Sequence, residues 1–197
     1  MNRETFEYRW ATTNDKASLW RANRLLHIKE HATTPTLVMH LINAAFPQEI
    51  NLPTVLRSWI KPLAGFRTST ERPNHHGLVV RSSDGYLQVF RDTSIEYVNT
   101  SIARNERLID RELFDEFLDT FTHAAAKAVP GEGRLFGLSL LNCKGHRLPV
   151  PTSRARADAE FEDHEIHSPL VAHDQGALSL RRFVWQAAGY YDCIENP

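Results

Sequence analysis

Residues 77–98, GLVVRSSDGYLQVFRDTSIEYV, constrain the fold more than any other part of the chain. Segments rich in β-branched and aromatic residues alternate there with turn residues. The Asp84-Gly85 pair is typical of a tight hairpin, because glycine accepts a positive φ at no steric cost. The pattern predicts three antiparallel strands. Such a meander is stable only when a hydrophobic face is covered, so we expect a helix to pack on it.

The best candidate for the covering helix is residues 111–129. Asp110 can cap its first turn, and Pro130 ends it. Its apolar side chains recur at helical spacing and form one stripe, which we expect to lie on the sheet: Leu113, Phe114, Phe117, Leu118, Phe121, Ala125 and Ala128.

Other segments predict the remaining elements of the fold. The apolar runs at residues 36–42 and 134–144 are typical of central strands, with His40 as a hydrogen-bonded core histidine. Helical spacing indicates one helix that begins at residue 16 and another over residues 179–188. We therefore predict a single α+β domain over residues 1–197, with a mainly antiparallel sheet of five or six strands and helices packed on it.

Two regions are predicted to lie outside these regular elements. Phe6, Tyr8 and Trp10 alternate in residues 1–14, which would put three aromatic rings on one side of an extended N-terminal arm. That arm would pack either on the protein's own core or on a partner. Residues 151–174 are the most polar segment and predict a loop region, and residues 67–76 are polar enough to form an exposed loop.

The charge balance excludes a protein that binds nucleic acid or a membrane through its overall field. The chain has 23 Lys and Arg against 24 Asp and Glu, a net charge of -1, so any such contact must be local. We predict a cytoplasmic protein with no membrane partner, because no apolar stretch approaches the roughly 18 residues of a span and the first residues lack a signal-peptide core. Cys143 and Cys193 are too few for a disulfide scaffold.

A basic stripe on the first helix is the candidate for nucleic-acid contacts. Arg21 and Arg24 are three residues apart and would project from one face, together with Trp20, His27 and His31. We expect the other side of the helix to pack inward: Leu19, Ala22, Leu25, Leu26 and Lys29. Arg104 and Arg107, in the polar connection after the meander, are the other candidates for phosphate contacts. The alternative for all four arginines is a solvated surface.

Tryptophan side chains are the candidates for contact with a protein partner, because large aromatic rings contribute much of the binding energy at interfaces. The candidates are Trp10, Trp20 and Trp59.

Residues 158–167 hold the densest set of possible metal ligands: Asp158, Glu160, Glu162, His164 and His167. Carboxylates and imidazoles could together hold Mg²⁺, Mn²⁺ or Zn²⁺ and serve a metal-dependent hydrolase, such as a nuclease. The spacing of this set matches no recognised ligand motif, and a solvated acidic loop is the alternative. Since the chain has neither a glycine-rich phosphate loop nor a nucleophile motif, we predict no cofactor and favour a protein that is not an enzyme.

Several segments resemble a known family. The run Gly85-Tyr86-Leu87-Gln88-Val89-Phe90-Arg91, the run Ala22-Asn23-Arg24 and the closing LRRFVWQAAGY are similar to the C-terminal region of bacterial Schlafen-type AlbA-like DNA-binding or ATP-binding proteins. In that family, nucleic-acid or nucleotide binding is ascribed to the AlbA-like domain, which precedes this region and has no counterpart in the segments matched here.

The resemblance implies an accessory region without the AlbA-like domain. We therefore expect a non-catalytic binding module that acts with an AlbA-like or other effector component, in transcription regulation or defence. The AlbA-like domain would be either a separate protein partner or covalently linked. A metal-dependent hydrolase and a direct nucleic-acid binder are the alternatives.

Overall fold

The computed structural model describes residues 3–44, 70–105, 107–128, 133–149, 160–172 and 176–190. The helices in these ranges are α1 (Arg3–Lys29), α2 (Arg111–Ala128) and α3 (Gly176–Ala187). The strands are β1 (Thr36–Asn43), β2 (Thr70–Asn74), β3 (Gly77–Ser82), β4 (Gly85–Phe90), β5 (Ile95–Asn99), β6 (Ala103–Asn105), β7 (Leu108–Ile109), β8 (Arg134–Leu141), β9 (Glu165–His167) and β10 (Val171–Ala172).

One antiparallel sheet organises the described part of the chain. Its order is β10-β8-β1-β5-β4-β3-β2, and β9 also pairs with β8, which makes eight strands. A separate hairpin is formed by β6 and β7. The predicted α+β class and mainly antiparallel sheet are confirmed. Six of the eight strands have five or more residues, and the other two, β9 and β10, have three and two.

The predicted three-stranded meander is β3, β4 and β5. Ser82 of β3 pairs with Gly85 of β4, so Ser83 and Asp84 form the tight turn. Gly85 has a φ of 151°, and a Cβ there would lie 1.9 Å from the carbonyl oxygen of Val98 on β5. Glycine is therefore required at this position both for its backbone conformation and for the close approach of the next strand.

The larger core lies between the sheet and the helices α2 and α3. Alternate side chains of β1, among them Met39, join it from the sheet, and Phe114 and Phe121 join it from α2. Asp110 caps α2, because its carboxylate accepts a hydrogen bond from the backbone N–H of Leu113 at 3.1 Å. The predicted covering helix is thus confirmed.

On the opposite face, α1 packs through two smaller apolar clusters. Near its C-terminal end, Leu25 and Ile28 contact Val38 of the sheet, and nearer its middle Ala17 lies in a cluster with Ile42. Since the two faces of β1 are covered by different helices, every side chain from Thr36 to Ile42 is buried. The described helices include none that is both long enough and apolar enough to cross a membrane.

The predicted extended arm at residues 1–14 is wrong for the described residues. Helix α1 begins at Arg3 and not at residue 16, so Phe6, Tyr8 and Trp10 lie in the helix. Residues 3–14 contain neither proline nor glycine, and nothing in them interrupts a helix. An alternation of only three aromatic residues was too short to distinguish a strand from a helix.

Two loop predictions are also corrected. Residues 70–74, within the predicted loop at 67–76, form β2, which tolerates Pro73 because it is at the edge of the sheet. The predicted loop region at residues 151–174 contains β9 and β10, which both pair with β8. These strands are two or three residues long, which is too short for a hydrophobic period to be detected in the sequence.

Candidate functional site

A row of polar side chains crosses the sheet face that α1 covers. His40 of β1 is opposite Glu96 of β5, and Glu96 is opposite Gln88 of β4. Residues directly opposite in an antiparallel pair share a face, so these side chains form one continuous row. His40 and Glu96 are fully buried, and Gln88 is 5% exposed. The row separates the two apolar clusters beneath α1.

The carboxylate of Glu96 is the centre of this row. Arg24 of α1 donates to it twice, from Nε to Oε2 at 2.9 Å and from Nη2 to Oε1 at 2.7 Å. The hydroxyl of Tyr86 donates to Oε1 at 2.7 Å, and His40 Nε2 lies 3.1 Å from Oε2. Because an ionised carboxylate can only accept, the proton of this last bond is on His40. Side chains of the protein therefore donate two hydrogen bonds to each oxygen of the Glu96 carboxylate.

The ionisation of this cluster follows from burial and from these bonds. Burial alone raises the pKa of Glu96, but the hydrogen bonds from His40 and Arg24 outweigh it and lower this pKa to about 2. Burial lowers the pKa of His40 below its usual value, against the opposing effect of Glu96. Burial and the Glu96 charge raise the pKa of Tyr86. At neutral pH, Glu96 is therefore an anion, and His40 and Tyr86 are neutral.

Arg21 makes a second polar connection between α1 and the sheet. It is 6% exposed, and its Nη atoms donate to the carbonyl oxygens of Ser168 and Leu138, each at 2.5 Å, and to the hydroxyl of Ser139 at 2.8 Å. Gly137 makes room for this guanidinium, since a Cβ there would lie 2.9 Å from Arg21 Cζ. Burial lowers the pKa of Arg21 to about 10, so it keeps its charge at neutral pH.

Trp20 packs over the cluster from α1. Its ring meets the imidazole of His40 edge to face at a centroid distance of 5.4 Å and the ring of Phe90 at 5.2 Å. The guanidinium of Arg24 lies 5.1 Å from the centroid of Phe90. Trp20, predicted as a partner contact, is therefore half-buried against its own sheet.

The predicted exposed stripe of Arg21 and Arg24 is wrong. Both arginines face the sheet, where their N–H groups are used by Glu96 and by backbone carbonyls, while Leu19 and Leu26 are 64% and 61% exposed. Helical spacing grouped Leu25 with Leu19 and Leu26, but Leu25 is buried on the side of the arginines. The buried sheet, which presents both polar and apolar groups, decided which side turns inward.

The other predicted contact residues have different outcomes. Arg107 is exposed, and Arg104 lies in β6, with its side chain outside the described part of the structure. Trp10 lies in α1, and its side chain also falls outside that part. Trp59 lies outside the described residues altogether, so its partner role stays a prediction.

The predicted metal ligands at residues 158–167 are not brought together as far as the structure describes them. Glu160, Glu162 and His164 are exposed, and Asp158 lies outside the described residues. His167 of β9 makes hydrogen bonds to the hydroxyl of Ser139 at 3.0 Å and to Glu165 at 3.3 Å, and Glu165 forms an ion pair with Lys29 of α1. Among the described residues, no set of three from this segment could hold one metal ion.

The described residues contain a different cluster of metal-ligand side chains, which the sequence analysis missed. Side-chain donor atoms of His27, Glu30 and His31 all lie within 4.8 Å of one another at the C-terminal end of α1. The signal was present in the sequence HIKEH, which has the H-x-x-E-H order of two imidazoles one helical turn apart with a carboxylate between them. The sequence pattern placed His27 and His31 in the basic stripe of this helix instead.

Comparisons with protein-family models, curated proteins and solved structures found no match to this chain. The resemblance to the AlbA-associated region therefore stays a prediction.

Proposed function

We propose that this chain is a non-catalytic binding module that acts in the cytoplasm with an AlbA-like or other effector component. A helix of that protein partner would dock on the outer face of α1. The proposal keeps the accessory role that the sequence resemblance implies, and transcription regulation or defence remains its expected setting.

The observation that carries the proposal is the apolar line on the exposed side of α1. Leu19 and Leu26 are 64% and 61% exposed, and Ala22 between them is also exposed. Their spacing of three and then four residues is that of the a and d positions of a heptad, which pack against a second helix. Exposed large apolar residues aligned in this way mark an interaction surface more often than residues scattered singly.

The length of α1 favours a helix as the occupant. It has 27 residues, so its axis runs for about 40 Å, and a partner helix can lie along it. The small side chain of Ala22 at the middle of the line allows close approach of the two backbones. The partner helix we expect therefore carries apolar residues at the same heptad spacing.

The chemistry of the buried polar row supports a role other than catalysis. Arg24, Tyr86 and His40 each hydrogen-bond to Glu96 beneath α1, and the bonds from Arg24 hold the helix to the sheet. Burial raises the pKa of the Cys143 thiol to about 12, which leaves it protonated and unreactive at neutral pH. A buried free cysteine also suits a reducing compartment, in agreement with a cytoplasmic location.

The test is native mass spectrometry of the chain purified under non-denaturing conditions together with the product of the adjacent gene. We expect a defined complex that the double substitution Leu19→Glu and Leu26→Glu abolishes. The matched control is Leu178→Glu, because Leu178 is an exposed leucine on α3, at 53%. That control should leave the complex intact, and circular dichroism should show that both proteins are folded.

Each of the following results would overturn the proposal. If the chain forms no complex, the product of the adjacent gene is not its partner. If the complex survives the double substitution, the partner binds at a surface other than the outer face of α1. A homodimer abolished by the same substitution would make a second copy the occupant. Co-purified oligonucleotide, or cleavage that EDTA inhibits, would instead support the nucleic-acid binder or the metal-dependent hydrolase.

A further inference from the structure

The end of α1 carries three exposed metal-ligand side chains on one turn. His27 Nδ1 is 4.0 Å from a carboxylate oxygen of Glu30, and the rings of His27 and His31 meet edge to face at a centroid distance of 5.6 Å. Side chains three and four residues apart on a helix lie on the same side. A single ion placed between the three groups could therefore contact all of them after small side-chain rotations.

The backbone that holds these ligands is fixed rather than frayed. The N–H groups of His31 and Ala32 both donate to the carbonyl oxygen of Ile28 at 3.0 Å, so the helical turn continues beyond Lys29. The side-chain amide of Asn142 then donates to the carbonyl oxygen of Ala32 at 2.9 Å and ties this turn to the end of β8. Because this backbone is already ordered, metal binding would need to fix only the side-chain rotamers of the three ligands. A smaller loss of conformational entropy favours tighter binding.

The local electrostatics favour a cation at this turn. The C-terminal end of a helix carries a partial negative charge from its last carbonyl groups, and Glu30 adds a carboxylate. The positive group of the same turn, Lys29, points to the other side of α1, where it pairs with Glu165.

We propose that His27, Glu30 and His31 form a binding site for a divalent transition-metal ion of the Zn²⁺, Ni²⁺ and Cu²⁺ class. Two imidazoles with one carboxylate suit these ions, whereas Mg²⁺ and Ca²⁺ require more oxygen ligands. Three protein ligands leave a tetrahedral ion one open position, which water fills at this exposed surface. The site does not depend on the docking face proposed above.

The experiment is calorimetric titration of the metal-free full chain with Zn²⁺ and with Ni²⁺. We expect one strong site per chain. His27→Ala or His31→Ala should weaken binding at least as much as the roughly 10–100-fold that loss of an outer partner costs a metal site. Circular dichroism and urea unfolding would check that each variant is folded, as expected for exposed positions.

Two matched controls separate this site from general binding by surface histidines. His123 is exposed on α2, and His123→Ala should bind zinc as the unchanged protein does. His75 and His76 are a second imidazole pair, with ring centroids 3.6 Å apart, and their double alanine variant should also bind normally. Leu19→Gln with Leu26→Gln, which removes the apolar line without adding a charge beside Glu30, should leave metal affinity unchanged. This distinguishes failure of the metal site from failure of the docking face.

The proposal is overturned if the unchanged protein binds neither ion. It is also overturned if His27→Ala and His31→Ala bind zinc with the affinity of the unchanged protein, or if removal of His75 and His76 accounts for the binding. Broadening of the His27 and His31 ring signals by substoichiometric Cu²⁺ in nuclear magnetic resonance spectra would support the assignment residue by residue.

Discussion

Glu96 shows how a single residue determines the role of its neighbours. A carboxylate buried without partners would be neutralised by protonation, but four hydrogen bonds keep this one ionised. Arg24, which the sequence analysis predicted as a phosphate contact, donates two of these four hydrogen bonds. The same guanidinium cannot also bind a phosphate while α1 lies on the sheet.

Glu96→Gln should lower the free energy of unfolding by about 3 kcal/mol, because it leaves the guanidinium of Arg24 beneath α1 without its counter-charge. Urea unfolding at neutral pH measures this loss. The matched control is Asp119→Asn, which removes the carboxylate from a 2.8 Å ion pair with Arg181 and is 61% exposed. Exposed pairs contribute about 0–1 kcal/mol, so equal losses in the two variants would contradict the structural role of Glu96.

The stability of the protein should fall as the pH decreases below 6.5, and His40 should contribute to that fall. Its pKa is lower in the folded protein, because of burial and of the positive charges of Arg21 and Arg24, so the unfolded chain takes up the proton first. One such group contributes a slope of up to about 1.4 kcal/mol per pH unit. Glu96 acts in the same direction at lower pH, since its stabilisation is present above pH 4.5 and is lost towards its folded pKa of about 2.

His40→Gln tests this slope, because a glutamine amide can still donate to Glu96 but does not titrate. Urea unfolding between pH 7 and pH 5 should show a shallower loss of stability in the variant than in the unchanged protein. Identical slopes would mean that His40 titrates in the folded protein as it does in the unfolded chain.

At the scale of elements, α1 is the helix for which the sequence predicted the wrong buried side. Its buried face carries Ala17, Arg21 and Leu25, and its exposed face carries Leu19 and Leu26. The arginines turn inward because this face presents the carboxylate of Glu96 and the carbonyl oxygens of Leu138 and Ser168. By contrast, the apolar stripe of α2 meets an apolar sheet face, and there the pattern alone gave the correct orientation.

A substitution at Gly137 of β8 tests how closely α1 packs on the sheet. In Gly137→Ala, the new Cβ would meet Arg21 Cζ and Leu170 Cδ2, each at 2.9 Å, so we expect a loss of about 1–3 kcal/mol in the free energy of unfolding. A double-mutant cycle with Arg21→Ala identifies the cause. If the guanidinium is responsible, the two losses are not additive, whereas additive losses would contradict a clash with Arg21 and leave Leu170 as the cause.

For the whole molecule, the two helical layers make the centre of the sheet its most protected part. The central strands β1 and β5 have neighbours on both sides and helices on both faces, and almost all of their residues are buried. Among the described residues, the edge strand β2 pairs on one side only, and Glu71, Arg72 and Pro73 within it are exposed. Local opening should therefore be far easier at β2 than at β1.

Amide hydrogen exchange of the native protein measures this difference. The amides of β1 and β5 should exchange only through global unfolding, and those of β2 should exchange orders of magnitude faster through local opening. Protection of β2 equal to that of β1 would show that another part of the chain, or a second copy, covers this edge in solution.

The sequence by itself determined the features that depend on neighbouring residues along the chain. The hairpin of β3 and β4, whose turn lies one residue before the predicted Asp84-Gly85 pair, follows from turn chemistry. The capped helix α2 after Asp110 and the buried strand around His40 follow from capping and hydrophobic period, which are also local properties. The H-x-x-E-H order at His27 also belongs to this class, because one helical turn was enough to bring its ligands together.

Only the tertiary structure decided which polar groups meet across the sheet. Arg24 and Glu96 are 72 residues apart, and Arg21 and Ser168 are 147 apart, so no local pattern could pair them. These pairings turned Arg21 and Arg24 inward and left Leu19 and Leu26 exposed, contrary to the prediction, while Leu25 is buried as predicted. The physical reason is that a buried charge must be compensated wherever its partner lies in the chain, whereas an exposed leucine costs little.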